Sequence, residues 1–125
     1  MKKNDNKLND LYQNNWSEWK SFPNPEKGEY LCAPLGCGVY QLKNVKTKDF
    51  VLFGRSKHVA CRMSSLLLSG CGTRENEEKK NYVTTNLHNI EYRTMPLHDE
   101  KEIKEMESYI KTKESYLFDE KHRRK

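Results

Sequence analysis

This chain has little with which to build more than one small core. Only 34% of its 125 residues are hydrophobic, while 33% are charged. One domain with thinly packed ends is therefore expected. No apolar run approaches the ~20 residues that cross a bilayer, and "SSLLLSG" at 64–70 is far too short. The opening "MKKNDNKLND" lacks the apolar stretch of a secretion signal. Both absences lead to the expectation of a cytoplasmic protein, away from membranes, with reduced thiols. Four cysteines, Cys32, Cys37, Cys61 and Cys71, lack the tight pairing of a zinc knuckle, so a structural zinc is not expected. Acidic charge is the scarcer sign: 18 Asp and Glu stand against 23 Lys and Arg, a formal net charge of +5. That suits a polyanionic partner, although many ordinary proteins are as basic.

What is present is a run of periodic segments without internal repeats. Leu8, Leu11, Tyr12, Trp16 and Trp19 recur at threes and fours, which predicts an amphipathic helix over 5–20. "SFPNPEKGEY" at 21–30 breaks the pattern with two prolines and a glycine, so residues 1–30 read as an N-terminal helical extension. "GVYQLKN" and "KDFVLFG" read as strands joined through "VKTK". The unalternating Phe50, Val51, Leu52 and Phe53 suggest a strand covered on both faces, expected at the sheet centre. Ser56 can cap a helix with Val59, Met63, Leu66 and Leu67 on its inner face. A glycine-bounded loop and a charged helix carrying Tyr82, Val83 and Leu87 follow. "IEYRTMPL" alternates as a third strand with Ile90, Tyr92 and Thr94 on one side. A last helix begins at Asp99 and turns Ile103, Met106 and Ile110 inward. The fold class expected is α+β: a small three-stranded sheet, antiparallel or mixed, flanked by helices, in a domain over 31–118 with a basic tail at 119–125.

Two charged residues interrupt apolar stripes. Arg62 lies three after Val59 and four before Leu66, so it projects from the apolar face of its helix. It either buries its stem and reaches water or meets an anion. Glu107, four after Ile103 and three before Ile110, can bind a hard divalent cation or pair with Arg62 or a lysine. Tyr40 offers a phenol from a strand, as a core residue or, with cations nearby, as a base. Arg55 follows a glycine that lets a backbone come close. Together with Ser56, His58 and the helix N-terminus it reads as a place for an anion.

The order of these residues resembles the GIY-YIG nuclease family. "GVY" at 38–40 matches the first motif, "LFG" at 52–54 falls at the separation of the second, and Arg62 stands at the spacing of the family's helical arginine. Glu107 sits on the last helix like the metal-binding glutamate, and the resemblance spans roughly residues 36–118. It implies a metal-dependent DNA endonuclease. Tyr40, Arg62 and Glu107 would be catalytic, and Arg55, Ser56 and His58 would contact phosphate. Glu107 would hold one Mg2+ or Mn2+ ion, and the four side chains Tyr40, Arg55, Arg62 and Glu107 would share one concave surface. There are departures: Leu52 replaces the second motif's tyrosine, Leu66 stands where many members have histidine or tyrosine, and no asparagine clearly follows Glu107 in its expected place. His58, Tyr82 and His88 are candidates to compensate.

DNA is the expected partner. A domain of this size that makes one cut often works as a homodimer or beside a tethered recognition element. Two other readings accompany the nuclease: an inactive nucleic-acid-binding module on the same fold, and a protein-interaction adaptor using the tryptophan-bearing helix.

Overall fold

A computed structural model of the chain describes residues 2–64, 66 and 77–118. Leu67, Cys71, the loop up to residue 76 and the basic tail at 119–125 lie outside the described residues. Four helices and four strands follow one another as α1 (Lys2–Asn14), β1 (Lys20–Ser21), β2 (Gly38–Asn44), β3 (Asp49–Ser56), α2 (Val59–Ser64), α3 (Glu77–Thr85), β4 (Ile90–Pro96) and α4 (Glu100–Lys113). The class is α+β, and the sheet is wholly antiparallel, in the order β1-β4-β2-β3. It has four strands rather than the three expected from the sequence. The addition, β1, is two residues long and pairs Lys20 with Tyr92 and Ser21 with Glu91. So short a strand carries no alternation to read. Among the described residues no helix is long and apolar enough to cross a membrane.

The run Phe50–Phe53 belongs to an edge strand, not to the sheet centre, which β2 and β4 occupy. Its lack of alternation is explained differently. Val51 and Leu52 are buried on one side, Phe50 and Phe53 pack against the other cluster, and the open edge is sealed by the C-terminal segment. Leu117 N–H donates to the Phe50 carbonyl at 3.1 Å and Phe118 N–H to that of Val51 at 2.9 Å. This blunts the edge where its backbone would otherwise stand unpaired.

Pleating divides the side chains between two layers. One face carries Tyr40, Leu42, Leu52, Ile90 and Tyr92 and packs against Val59, Met63 and Leu66 from α2 and its exit and Val83 from α3. The other carries Val39 and Met95 under Ile103, Met106 and Ile110 of α4, with Leu8 and Tyr12 of α1. Asp99 caps α4 by accepting the Glu102 N–H at 2.9 Å, at the boundary read from the sequence.

Helix α1 stops at Asn14, short of Trp16 and Trp19, which lie on the segment leading into β1. Asn14 and Asn15 are weak helix formers, and the edge of β4 offers better partners. Ser17 N–H donates to the Thr94 carbonyl at 2.8 Å and Phe22 N–H to that of Ile90 at 2.9 Å. Residues 1–30, read as an extension, thus supply Leu8 and Tyr12 to one cluster and Phe22 to the other.

Candidate functional site

The glycines of the two motifs each make room for a neighbour. A β-carbon at Gly38 would strike the Met95 carbonyl and stand 3.2 Å from Val59 of α2. At Gly54 it would collide with the Tyr40 ring, which lies across β3 at that point. Tyr40 and Gly54 are register partners, so the absent side chain is the path by which the phenol crosses the edge strand. There the Arg62 guanidinium hydrogen-bonds its oxygen. Burial raises the Tyr40 pKa, and Arg62 opposes the rise only in part. With 5% of its surface exposed, Tyr40 remains a neutral phenol that positions Arg62, not a base that meets water.

Arg55 leaves β3 on the opposite face, beside its register partner Val39. Its Nε–H reaches Oε1 of Glu107 on α4 at 2.8 Å, and Lys111, one turn further along, stands 3.3 Å from Oε2. The four residues expected on one surface are therefore gathered two by two, Tyr40 with Arg62 on the α2 side and Arg55 with Glu107 on the α4 side. Gly54 and Arg55 of the edge strand lie between the pairs. The reason is the pleat: consecutive residues of one strand point to opposite faces.

No family model, curated protein or solved structure matches this chain. What the site can do is therefore argued from its own geometry.

The N-terminus of α2, expected to favour an anion, is already used. Val59 N–H donates to the Gly36 carbonyl at 3.0 Å and Ala60 N–H to that of Pro34 at 2.8 Å. His58 N–H donates to the Ser56 hydroxyl at 2.8 Å. The 34–36 segment thus takes donors that a phosphate would need, and α2 is only six residues long. What remains for an anion is side-chain charge: Arg55, Lys57, His58 and Arg62 are all exposed around this end of β3. Lys57 stands 3.7 Å from Glu100, with both side chains more than half exposed, a pairing that contributes little.

As arranged, Glu107 does not fit a resident divalent ion. Both carboxylate oxygens face cations, which neutralise it and would repel a third positive charge. Among the described residues no group of three His, Cys, Asp or Glu stands together to supply a second donor.

The positions named as departures are equally specific. Leu52, in place of a phenol, is 1% exposed in the apolar layer, and Leu66 is buried in the same cluster. Tyr82 accepts the Asn44 Nδ2–H at 3.1 Å near the far end of β2, and His88 lies on the Leu87–Asn89 turn beside it. Neither compensates at Gly54; His58 alone is close in sequence to the pairs. Lys111 was missed from the sequence, though a signal existed: it stands four residues after Glu107, the spacing of a helical ion pair. The contact of Arg55 with Glu107, 52 residues apart, has no such signal.

Proposed function

We propose that this protein is a DNA endonuclease on a GIY-YIG-like fold, hydrolysing a phosphodiester laid along the exposed end of β3, with Mg2+ or Mn2+ as its cofactor. The observation that carries the proposal is the Tyr40–Arg62 hydrogen bond over Gly54. A buried neutral phenol holds a guanidinium at the edge of a rigid sheet, where it can grip a phosphate and stabilise negative charge that develops on it. Arg55 on the other side of the same strand gives a second cation within reach of the same backbone. A homodimeric working form and a cytoplasmic site of action belong to the same proposal.

A second reading is favoured by a specific observation. Leu52 is buried where a second phenol would stand, and Glu107 is neutralised, so the same edge could bind nucleic acid without cutting it. Incubation of plasmid and branched DNA with magnesium or manganese separates the two. The expected result is metal-dependent nicking by the wild type, absent in Arg62→Ala. Loss of one charged phosphate contact should also weaken binding by roughly 1.5–3 kcal/mol, about ten- to a hundredfold. Binding without a cut in either metal selects the second reading, and no binding at low salt retires both.

A further inference from the structure

Arg55 faces two anions with one guanidinium. In the free protein it is committed to Glu107, Nε to Oε1 at 2.8 Å, with the arginine side chain 45% exposed and the glutamate 22% exposed. The pair joins two well-held elements: β3, paired along its length with β2, and α4, capped by Asp99 and packed through Ile103, Met106 and Ile110. The contact is thus open to solvent on the arginine side while the carboxylate behind it is mostly covered. A phosphodiester arriving at Gly54–Arg55 offers the guanidinium a partner of the same charge, in the two-pronged geometry that arginine favours. Exchange from one to the other needs only side-chain rotation, because both partners meet Arg55 at the strand edge. When Arg55 leaves, Oε1 of Glu107 loses its hydrogen-bond donor and the nearer of its two positive neighbours. A single carboxylate with an open oxygen, completed by phosphate and water, is a sufficient holder for a small divalent cation.

We propose that Arg55 is a substrate-exchanged latch: it holds and neutralises Glu107 in the free protein, and a nucleic-acid phosphate at the β3 edge draws it away and opens the carboxylate to a divalent cation. This rests on the nucleic-acid reading of the edge and explains why Glu107, as found, is unfit for a resident ion. It makes cation binding depend on substrate.

The test uses the full chain in two arms. In the first, Mn2+ alone is titrated and followed by water-proton relaxation. Arg55→Gln should bind Mn2+ about five- to tenfold more tightly than wild type, the effect of removing a like charge in contact with the site. Glu107→Gln added to it should abolish the gain. Unchanged Mn2+ affinity in Arg55→Gln overturns the latch. In the second arm, a duplex oligonucleotide is titrated in EDTA. Glu107→Gln should tighten binding about two- to fivefold when Arg55 is present, the scale of one exposed ion pair, and leave it unchanged in an Arg55→Gln background. An equal gain in both backgrounds is simple removal of negative charge and overturns the exchange. A wild type that binds no oligonucleotide overturns the exchange together with the nucleic-acid reading, and differs visibly from binding without coupling. All three substitutions are at partly exposed positions and nearly conserve volume, and circular dichroism checks that each variant is folded.

Discussion

On one face of the sheet, Leu42, Leu52, Val59, Met63 and Val83 meet as plain apolar packing, and polar groups appear only towards the margins, Tyr40 with Arg62 and Asn44 with Tyr82. The other face is threaded by a buried polar network. Arg93 Nε–H donates to Gln41 at 2.8 Å, Gln41 donates to the Tyr116 hydroxyl at 2.6 Å, and Tyr12 donates to Glu114. Arg93 also lies 4.3 Å from the centre of the Trp16 ring and 4.5 Å from that of Trp19. The difference is one of what must be specified. Apolar side chains pack in many ways, whereas a hydrogen-bonded glutamine admits one register. The network takes members from α1, β2, β4 and the segment after α4, so it ties both ends of the chain to the sheet. The apolar face, free of that duty, carries the phenol and guanidinium of the candidate site.

The largest way to break this contrast is to delete residues 1–22. Leu8, Tyr12 and Phe22 would be lost from the two layers, and burying side chains of that size contributes ~1.5–3 kcal/mol each, roughly 5–9 in all. A domain's whole stability is about 5–15 kcal/mol, so the shortened chain should show no cooperative melting transition. A sharp transition close to that of the full chain would mean that the network face is dispensable.

A smaller perturbation compares the faces directly. Gln41→Leu conserves size but strands the Tyr116 hydroxyl and Arg93 Nε, at about 1–3 kcal/mol for each buried group left unpaired. Leu52→Met, on the apolar face, should cost less than ~1.5 kcal/mol. Urea midpoints would measure both, and equal losses would show that the network adds no stability of its own.

Alkaline titration sharpens the comparison further. Burial, then the bond to Glu114, pushes the Tyr12 phenol from 10.0 up to about 12, and burial raises Tyr116 as well. A raised phenol binds its proton more tightly in the folded state than in the unfolded one. Its stabilisation is therefore complete below pH 10 and is lost as pH climbs to about 12. Melting temperature should fall across that window, and Tyr12→Phe should flatten part of the fall. Tyr40 and Tyr92, raised by burial on the other face, sustain the remainder.

The smallest effect lies outside both faces. Lys48 closes the β2–β3 turn at φ 68°, a left-handed conformation that costs a side-chain-bearing residue ~1–2 kcal/mol. Lys48→Gly relieves that strain but loses ~0.5–1 kcal/mol to chain entropy, so a net gain of about 0.5 kcal/mol is expected. It should appear in the urea midpoint without altering DNA binding.

Local pattern determined a good part of this protein. The alternation of "GVYQLKN" and "IEYRTMP" and the stripe behind Asp99 were legible because period two and period three-to-four are properties of consecutive residues. The glycines of 38 and 54 were legible as close approaches, and Arg62 and Glu107 as exceptions to apolar stripes. Tertiary structure alone decided the rest. The end of α1 at Asn14 depends on an edge of β4 that lies about 75 residues away in sequence, as the Ser17–Thr94 pairing shows. The edge position of β3 depends on Leu117 and Phe118, since an apolar run says only that both faces are covered and not which strands stand beside it. The sharing of site residues between two faces, and the capture of Glu107 by Arg55, depend on where α2 and α4 dock against one strand. Ion pairs between distant residues leave no period in the sequence, because charge attracts through space and not along the chain.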